Sequence, residues 1–212
     1  MWELIWPAII QTFIMVLPST LFSLILGFVL AILLVVTAQD GLKPNRVVYS
    51  VLDFIINILR SFPFLILMVA IIPFTKLIVG TSIGEEAAIV PLTVAAAPFV
   101  ARIIESALKE VDPGVVEAAK SFGASDTQII FKVMLKEAVP AIISGVTLTV
   151  ISLIGYSAMA GTIGAGGLGD LAIRYGYQRF ESEIMIVTVI ILVIIVQILQ
   201  SLGNIIYKKL SR

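Results

Sequence analysis

An all-α integral membrane protein with five transmembrane helices is the fold class this sequence predicts, on three observations. Of its 212 residues, 59% are hydrophobic and only 13% charged. Soluble domains average roughly 45–50% and about 25%. The apolar residues gather into five runs, each near the roughly 20 residues that cross a hydrocarbon layer. The one long polar stretch, 110–140, is itself patterned as two short helices. Cys and His are absent, which excludes disulfides, thiolate or imidazole metal sites, and Ser-His or Cys-His catalysis. The formal net charge is zero, so nothing points to nucleic acid. No GxxxxGK(S/T) occurs, so any ATP that drives this protein is bound by a partner.

The start, MWELIWPAII, lacks the positive n-region of a cleaved signal peptide. Trp2 and Trp6 suit the headgroup level. The first span is read as 12–36, and 39–46 is a short polar loop. The second span, 47–73, is interrupted by Asp53, Asn57, Arg60 and Pro63. The third, 87–104, contains Pro91 and Pro98 and should kink. The fourth, 139–159, places Ala141, Gly145 and Thr149 at four-residue spacing, a small-residue face for close helix packing. The fifth is 184–207, followed by Lys208, Lys209 and Arg212. No span pair repeats another, so the chain reads as one domain.

Five spans put the termini on opposite sides. Lys43, Arg46, Lys109, Lys120, Lys132, Lys136, Lys208, Lys209 and Arg212 share one side, and Lys76, Arg174 and Arg179 the other. The positive-inside rule then puts the N-terminus outside, with 110–140 and the C-terminus in the cytoplasm.

Within 110–140, Asp112-Pro113 is a helix-start signal, a capping carboxylate before a residue with a preset φ. Val115, Val116, Ala119 and Phe122 make an apolar stripe beside Glu117 and Lys120. Gly123 ends this helix. Ser125 and Gln128 fit a capping box that starts a second helix, running to about Pro140. Two short helices held between spans suit another protein's groove. The bland alternative is an amphipathic connector on the membrane surface.

Glu117-Ala118-Ala119, Gly123-Ala124 and the distal Pro140 resemble the EAA signature of membrane subunits of ATP-binding-cassette (ABC) importers. Here the motif ends Ala138-Val139-Pro140 instead of Leu-Pro. From Arg60 to the C-terminus, RSFPF (60–64), IIPFTKLIVGTSIG (71–84), AAIVPLTVAAAPFVAR (87–102), GYSAMAG (155–161) and GAGGLGDLAIRYGYQRF (164–180) resemble the methionine-type importer permease. The resemblance implies a type I ABC importer permease core in a bacterial inner membrane. It implies a homodimer with two cytoplasmic ATPase subunits, which bind ATP and Mg, and an external, often lipid-anchored, substrate-binding protein. The chain would carry no catalytic residue and no cofactor. It would form the pathway for methionine, its D-isomer and close derivatives, by alternating access. Val115, Val116, Glu117, Ala118, Ala119, Phe122, Gly123 and Ala124 would be the contact with the ATPase. The competing readings are the same machine with another small solute, and an ion-coupled carrier using Asp53 and Arg60.

The remaining candidates are weaker signals. Arg60, with Ser61 and Pro63 beside it, is a charge at membrane depth. It either lines the pathway, able to meet a substrate carboxylate, or pairs structurally with Asp53 or a carbonyl freed by Pro63. Tyr156, Ser157 and Met159 end the fourth span, and two copies of Met159 could meet on a dimer axis as a gate. Ordinary packing explains them equally well. Residues 164–169 satisfy GxGxxG, but a dinucleotide site needs a βαβ unit that is absent. The segment is either tightly folded or a flexible loop. Arg174, Tyr175, Tyr177, Gln178 and Arg179 are types that carry interface energy. They read as a docking surface for the external binding protein, or as an interfacial aromatic belt.

Overall fold

The computed structural model describes residues 1–211; Arg212, counted above in the basic bias, lies outside them. Helix α1 (Trp2–Thr37) is the first span and runs well N-terminal of the predicted 12–36. Pro7 and Pro18 lie inside it. Its hydroxyls are kept from apolar surroundings by bonding back to the helix, with Thr12 donating to the Ala8 carbonyl (2.9 Å) and Ser19 to Met15 (2.6 Å).

The predicted second span, 47–73, is not one helix. Helix α2 (Arg46–Ser61) ends at Phe62, whose extended backbone (φ −72°, ψ 128°) is what a following proline imposes. Helix α3 (Phe64–Ala70) then leaves at 104° to α2. Helix α4 (Ile72–Val79) follows and closes on left-handed Gly80. Sixteen α-helical residues reach only about 24 Å, short of the roughly 30 Å hydrocarbon core. Helix α2 is also amphipathic, with Ser50, Asp53, Asn57 and Ser61 on one face and Val47, Val51, Phe54 and Ile58 exposed on the rest. Four helices are long and apolar enough to cross a membrane, and five spans result if the bent pair counts as one.

Helix α5 (Glu85–Lys109) is the most enclosed, with Pro91 and Pro98 inside it. It lies against α1, where Gly27 leaves no room for a Cβ beside Val100 and the Ala97 carbonyl. The polar stretch contributes α6 (Pro113–Ser121) and then a single helical run, Asp126–Gly161. That run comprises α7 (Asp126–Gln128), a π-turn segment (Ile129–Met134) and α8 (Leu135–Gly161). The second loop helix therefore does not stop near Pro140 but continues as the fourth span. A proline removes one helical hydrogen bond without necessarily ending a helix that packing holds, and Ala138 beside it is buried against the α1–α5 core. On α8, Gly145 faces Ile103, whose side chain a Cβ would strike, and Thr149 is buried with its hydroxyl on the Gly145 carbonyl (2.9 Å). The small-residue face thus packs on α5.

The glycine-rich segment is folded, not loose. It forms α9 (Gly167–Leu171) and a second π-turn segment (Ala172–Tyr177) before α10 (Ser182–Leu210). Gln11 and Thr12 of α1 accept from the backbone N–H groups of Gly167 and Leu168 at 2.9 and 3.0 Å. Gly169 lies directly on the Ala158 backbone of α8. No strand occurs among the described residues, so GxGxxG here serves close packing. Gly169→Ala should cost about 1–3 kcal/mol through overpacking against backbone. Gly155→Ala, where a Cβ meets open space, should be near neutral. Thermal unfolding of the two detergent-solubilised variants compares them directly.

Candidate functional site

The 110–140 stretch folds by the local rules its sequence carries. The Asp112 carboxylate accepts from Gly114 N–H at 2.7 Å, with Pro113 in the first turn of α6. At the other end Phe122 N–H donates to the Ala118 carbonyl, Gly123 N–H to Lys120 and Ala124 N–H to Ala119 (2.9–3.1 Å). Gly123 has φ +79°, the left-handed geometry this cap needs. The capping box is complete, with Ser125 N–H on Gln128 Oε1 (2.9 Å) and Gln128 N–H on Ser125 Oγ (3.4 Å).

The predicted apolar stripe on α6 divides between two faces. Val116 and Ala119, with Val111 and Ala124, turn inward onto a core containing Leu108, Ile129 and Met134. Val115, Ala118 and Phe122 are exposed, as are Glu117 and Gly123. Phe122 is 92% exposed. The inward contacts hold the helix to the bundle, and the outward ones leave an apolar edge without a partner among the described residues. Lys43 and Asp126 (3.5 Å) tie the α1–α2 loop to the start of the second loop helix.

Ahead of α6, an ionic cluster joins α2 to α5. Glu105 is buried, 4% exposed. It accepts from Arg102 (2.7 Å), Lys109 (2.8 Å) and the Tyr49 hydroxyl (3.1 Å). Arg102 also pairs with Asp53 and donates to Asn57 Oδ1 (3.0 Å). The structural pairing of Asp53 with Arg60 therefore does not form. Arg60 lies two turns along the same helix, about 10 Å away, whereas Arg102 approaches Asp53 from the adjacent helix. Arg60 has no ion-pair partner among the described residues. Neither Arg102 nor Glu105 is among the residues the sequence singles out. The available signal was spacing: Arg102, Glu105 and Lys109 share an α5 face, as Asp53 and Asn57 share an α2 face.

Among the pathway candidates, Arg60 and Tyr156 come together. They line one cleft of about 180 Å³ between the α2–α3 bend, α5 and α8. The Tyr156 ring stacks on Phe64, centroids 4.8 Å apart. Ser61 belongs to a different, open groove with Ser50, Asp53 and Asn57. Ser157 is buried with its hydroxyl on the Ile154 carbonyl (2.8 Å), and Met159 is exposed.

The docking candidates also form a cluster. The Arg174 and Arg179 guanidinium carbons lie 5.6 and 4.3 Å from the Tyr175 ring centroid, within cation–π range. Arg174 pairs with Asp170. Tyr177 is exposed, and so is Phe180, which has φ +59°. Phe180 escaped the sequence reading because nothing local marks an aromatic held in that conformation.

A family model, binding-protein-dependent transport system inner membrane component, matches residues 31–212. The "Probable D-methionine transport system permease protein" of Vibrio cholerae is 53% identical over 99% of this chain and 93% of that protein. The methionine import system permease protein of Bacillus subtilis is 49% identical over 82% and 78%. A solved chain of the inward-facing MetNI methionine ABC transporter is 44% identical, with a TM-score of 0.97 covering 100% of this chain and 98% of that one. With most of its length matched by the family model and full-length relatives near half identity, this chain belongs to the binding-protein-dependent transport system inner membrane components.

Proposed function

We propose that this chain forms the membrane pathway of an ATP-driven importer for methionine, including the D-isomer and close derivatives. Two copies assemble with two ATPase subunits, which bind ATP and Mg, and an external substrate-binding protein delivers the cargo. The observation that carries the assembly is α6. Its caps and inward face are satisfied within the chain, while Val115, Ala118 and Phe122 stand exposed. A capped helix with an unpartnered apolar edge is the helix-in-groove mode of recognition. The names of the relatives support methionine as cargo. The positive-inside bias supports an outside N-terminus and cytoplasmic α6. Arg174, Tyr175, Tyr177 and Arg179 then face the binding protein. An autonomous ion-coupled carrier is disfavoured because Asp53, the carboxylate such a carrier would titrate, is engaged by Arg102 and Asn57.

Labelled-methionine uptake by vesicles holding this chain with its ATPase and binding protein tests the reading. Uptake should require ATP and be blocked by unlabelled methionine. ATP-driven uptake blocked only by another solute would replace the cargo, and uptake indifferent to ATP would overturn the mechanism.

A further inference from the structure

We infer that the cleft at the α2–α3 bend is a second, membrane-embedded substrate site that binds the carboxylate of an amino acid. The inference rests on the proposed methionine import and adds a site within this chain to the one expected in the external binding protein.

Four polar residues line this cleft: Arg60, exposed at the end of α2, and Thr149, Ser152 and Tyr156 from α8; the Thr149 hydroxyl is already committed to the Gly145 carbonyl. Ser152 and Tyr156 are four residues apart, so they share a helix face. Among the described residues, Arg60 has no ion-pair partner, and neither the Ser152 nor the Tyr156 hydroxyl takes part in a hydrogen bond. Many hydroxyls elsewhere in this bundle are satisfied locally, although the buried hydroxyls of Thr75, Thr93 and Thr188 also have no partner among the described residues. The hydroxyls of Thr12, Ser19, Thr147, Thr149 and Ser157 bond back to helix carbonyls, and Arg102 is engaged by Asp53, Glu105 and Asn57. A guanidinium at membrane depth is costly unless a partner or water meets it. The groups left free here are all hydrogen-bond donors gathered around one space.

The rest of the lining gives the ligand its second property. Phe64, Phe99 and Leu153 are apolar, and Phe64 is held in place by its stack on Tyr156. A donor cluster headed by a guanidinium suits a carboxylate. An adjoining aromatic and aliphatic wall suits an apolar side chain. Small ligands bind in hollows that combine apolar walls with a few convergent polar groups. An amino acid with an apolar side chain satisfies both ends, with its carboxylate on Arg60, Ser152 and Tyr156 and its side chain on the phenylalanines.

The chain has no cysteine, which permits a direct test. Ser152→Cys places the chain's one thiol in the cleft, in the intact transporter with its ATPase. Its rate of labelling by a small thiol reagent is measured with methionine and with methioninamide, which lacks the carboxylate. Methionine should slow labelling several-fold and methioninamide should not. Adding Arg60→Met should raise the half-protecting methionine concentration by about tenfold or more, the loss expected for a charge-assisted hydrogen bond. Arg60→Lys should recover part of the protection. Labelling unaffected by methionine, or protection that survives Arg60→Met, overturns the site. ATP-driven methionine uptake by the unsubstituted transporter, measured alongside, separates the two readings. Uptake without protection removes the site and keeps the importer; absence of both removes both.

Discussion

Gly123→Asp should leave the chain inserted and folded while ATP-driven uptake falls by at least about tenfold, the equivalent of a 1.4 kcal/mol loss at the ATPase contact. Two features of Gly123 separate these outcomes. A Cβ built there meets nothing within 4 Å, so the new side chain does not disturb the bundle. The φ of +79° costs an ordinary L-residue about 1–2 kcal/mol, and Asp is among the residues that tolerate it. The α6 cap also uses backbone groups that Asp retains. The added carboxylate stands beside Phe122, the more exposed of the two large hydrophobic residues of the α6 edge. Closing an apolar groove over it would bury an unpaired charge, one of the costliest changes an interface can take. Membrane abundance, co-purification of the ATPase and uptake should be measured together. Normal uptake by the variant would remove α6 from the ATPase contact, and loss of insertion would show that Gly123 acts within the fold.

Arg102→Met is expected to produce the largest loss of stability of any single change in the charged cluster. Arg102 joins Asp53 and Asn57 of α2 to Glu105 of α5. Without it Glu105 keeps Lys109 and Tyr49, but among the described residues Asp53 keeps only Asn57. Breaking a buried pair by removing one partner costs about 3–5 kcal/mol. The retained partners of Glu105 and the partial exposure of Asp53 bring the expectation down to about 2–3 kcal/mol. Asp53→Asn should cost less, and the double variant should cost less than the sum of the two, since both remove one contact. Additive losses in thermal unfolding of the purified complex would mean that α2 is held to α5 by apolar packing alone.

The cluster matters because of where it lies. Lys109 is the last residue of α5, and the chain reaches Asp112, the cap of α6, three residues later. Force applied to α6 therefore passes first into the end of α5 that grips α2. Helix α2 carries Arg60 at its other end. The outward apolar edge of α6 thus connects to the cleft through the end of α5, the side-chain contacts of Glu105 and Arg102 with α2, and α2 itself. The helical run into α8 leads from the second loop helix to Ser152 and Tyr156.

What the order of residues sufficed to establish is the part governed by neighbours close in the chain. Long apolar runs become membrane-length helices because lipid offers the backbone no other hydrogen-bond partners. The start of α6 at Asp112-Pro113, its stop at Gly123 and the box between Ser125 and Gln128 each involve groups within a few residues. The EAA pattern was legible for the same reason. Tertiary structure decided everything that depends on which distant surfaces meet. Pro63 announced a break, but the 104° turn and the position of Arg60 just before it follow from packing against α5 and α8. Periodicity showed that α6 has apolar faces; contact with Leu108, Ile129 and Met134 chose Val116 and Ala119 for the inside and left Phe122 out. Asp53 had Arg60 and Arg102 as possible partners, and the α2–α5 approach gave it the one 49 residues away. The glycine segment was loop or fold by composition. It is fold because Gln11 and Thr12, 156 residues earlier, accept its backbone N–H groups, and a hydrogen bond across that separation leaves no local trace.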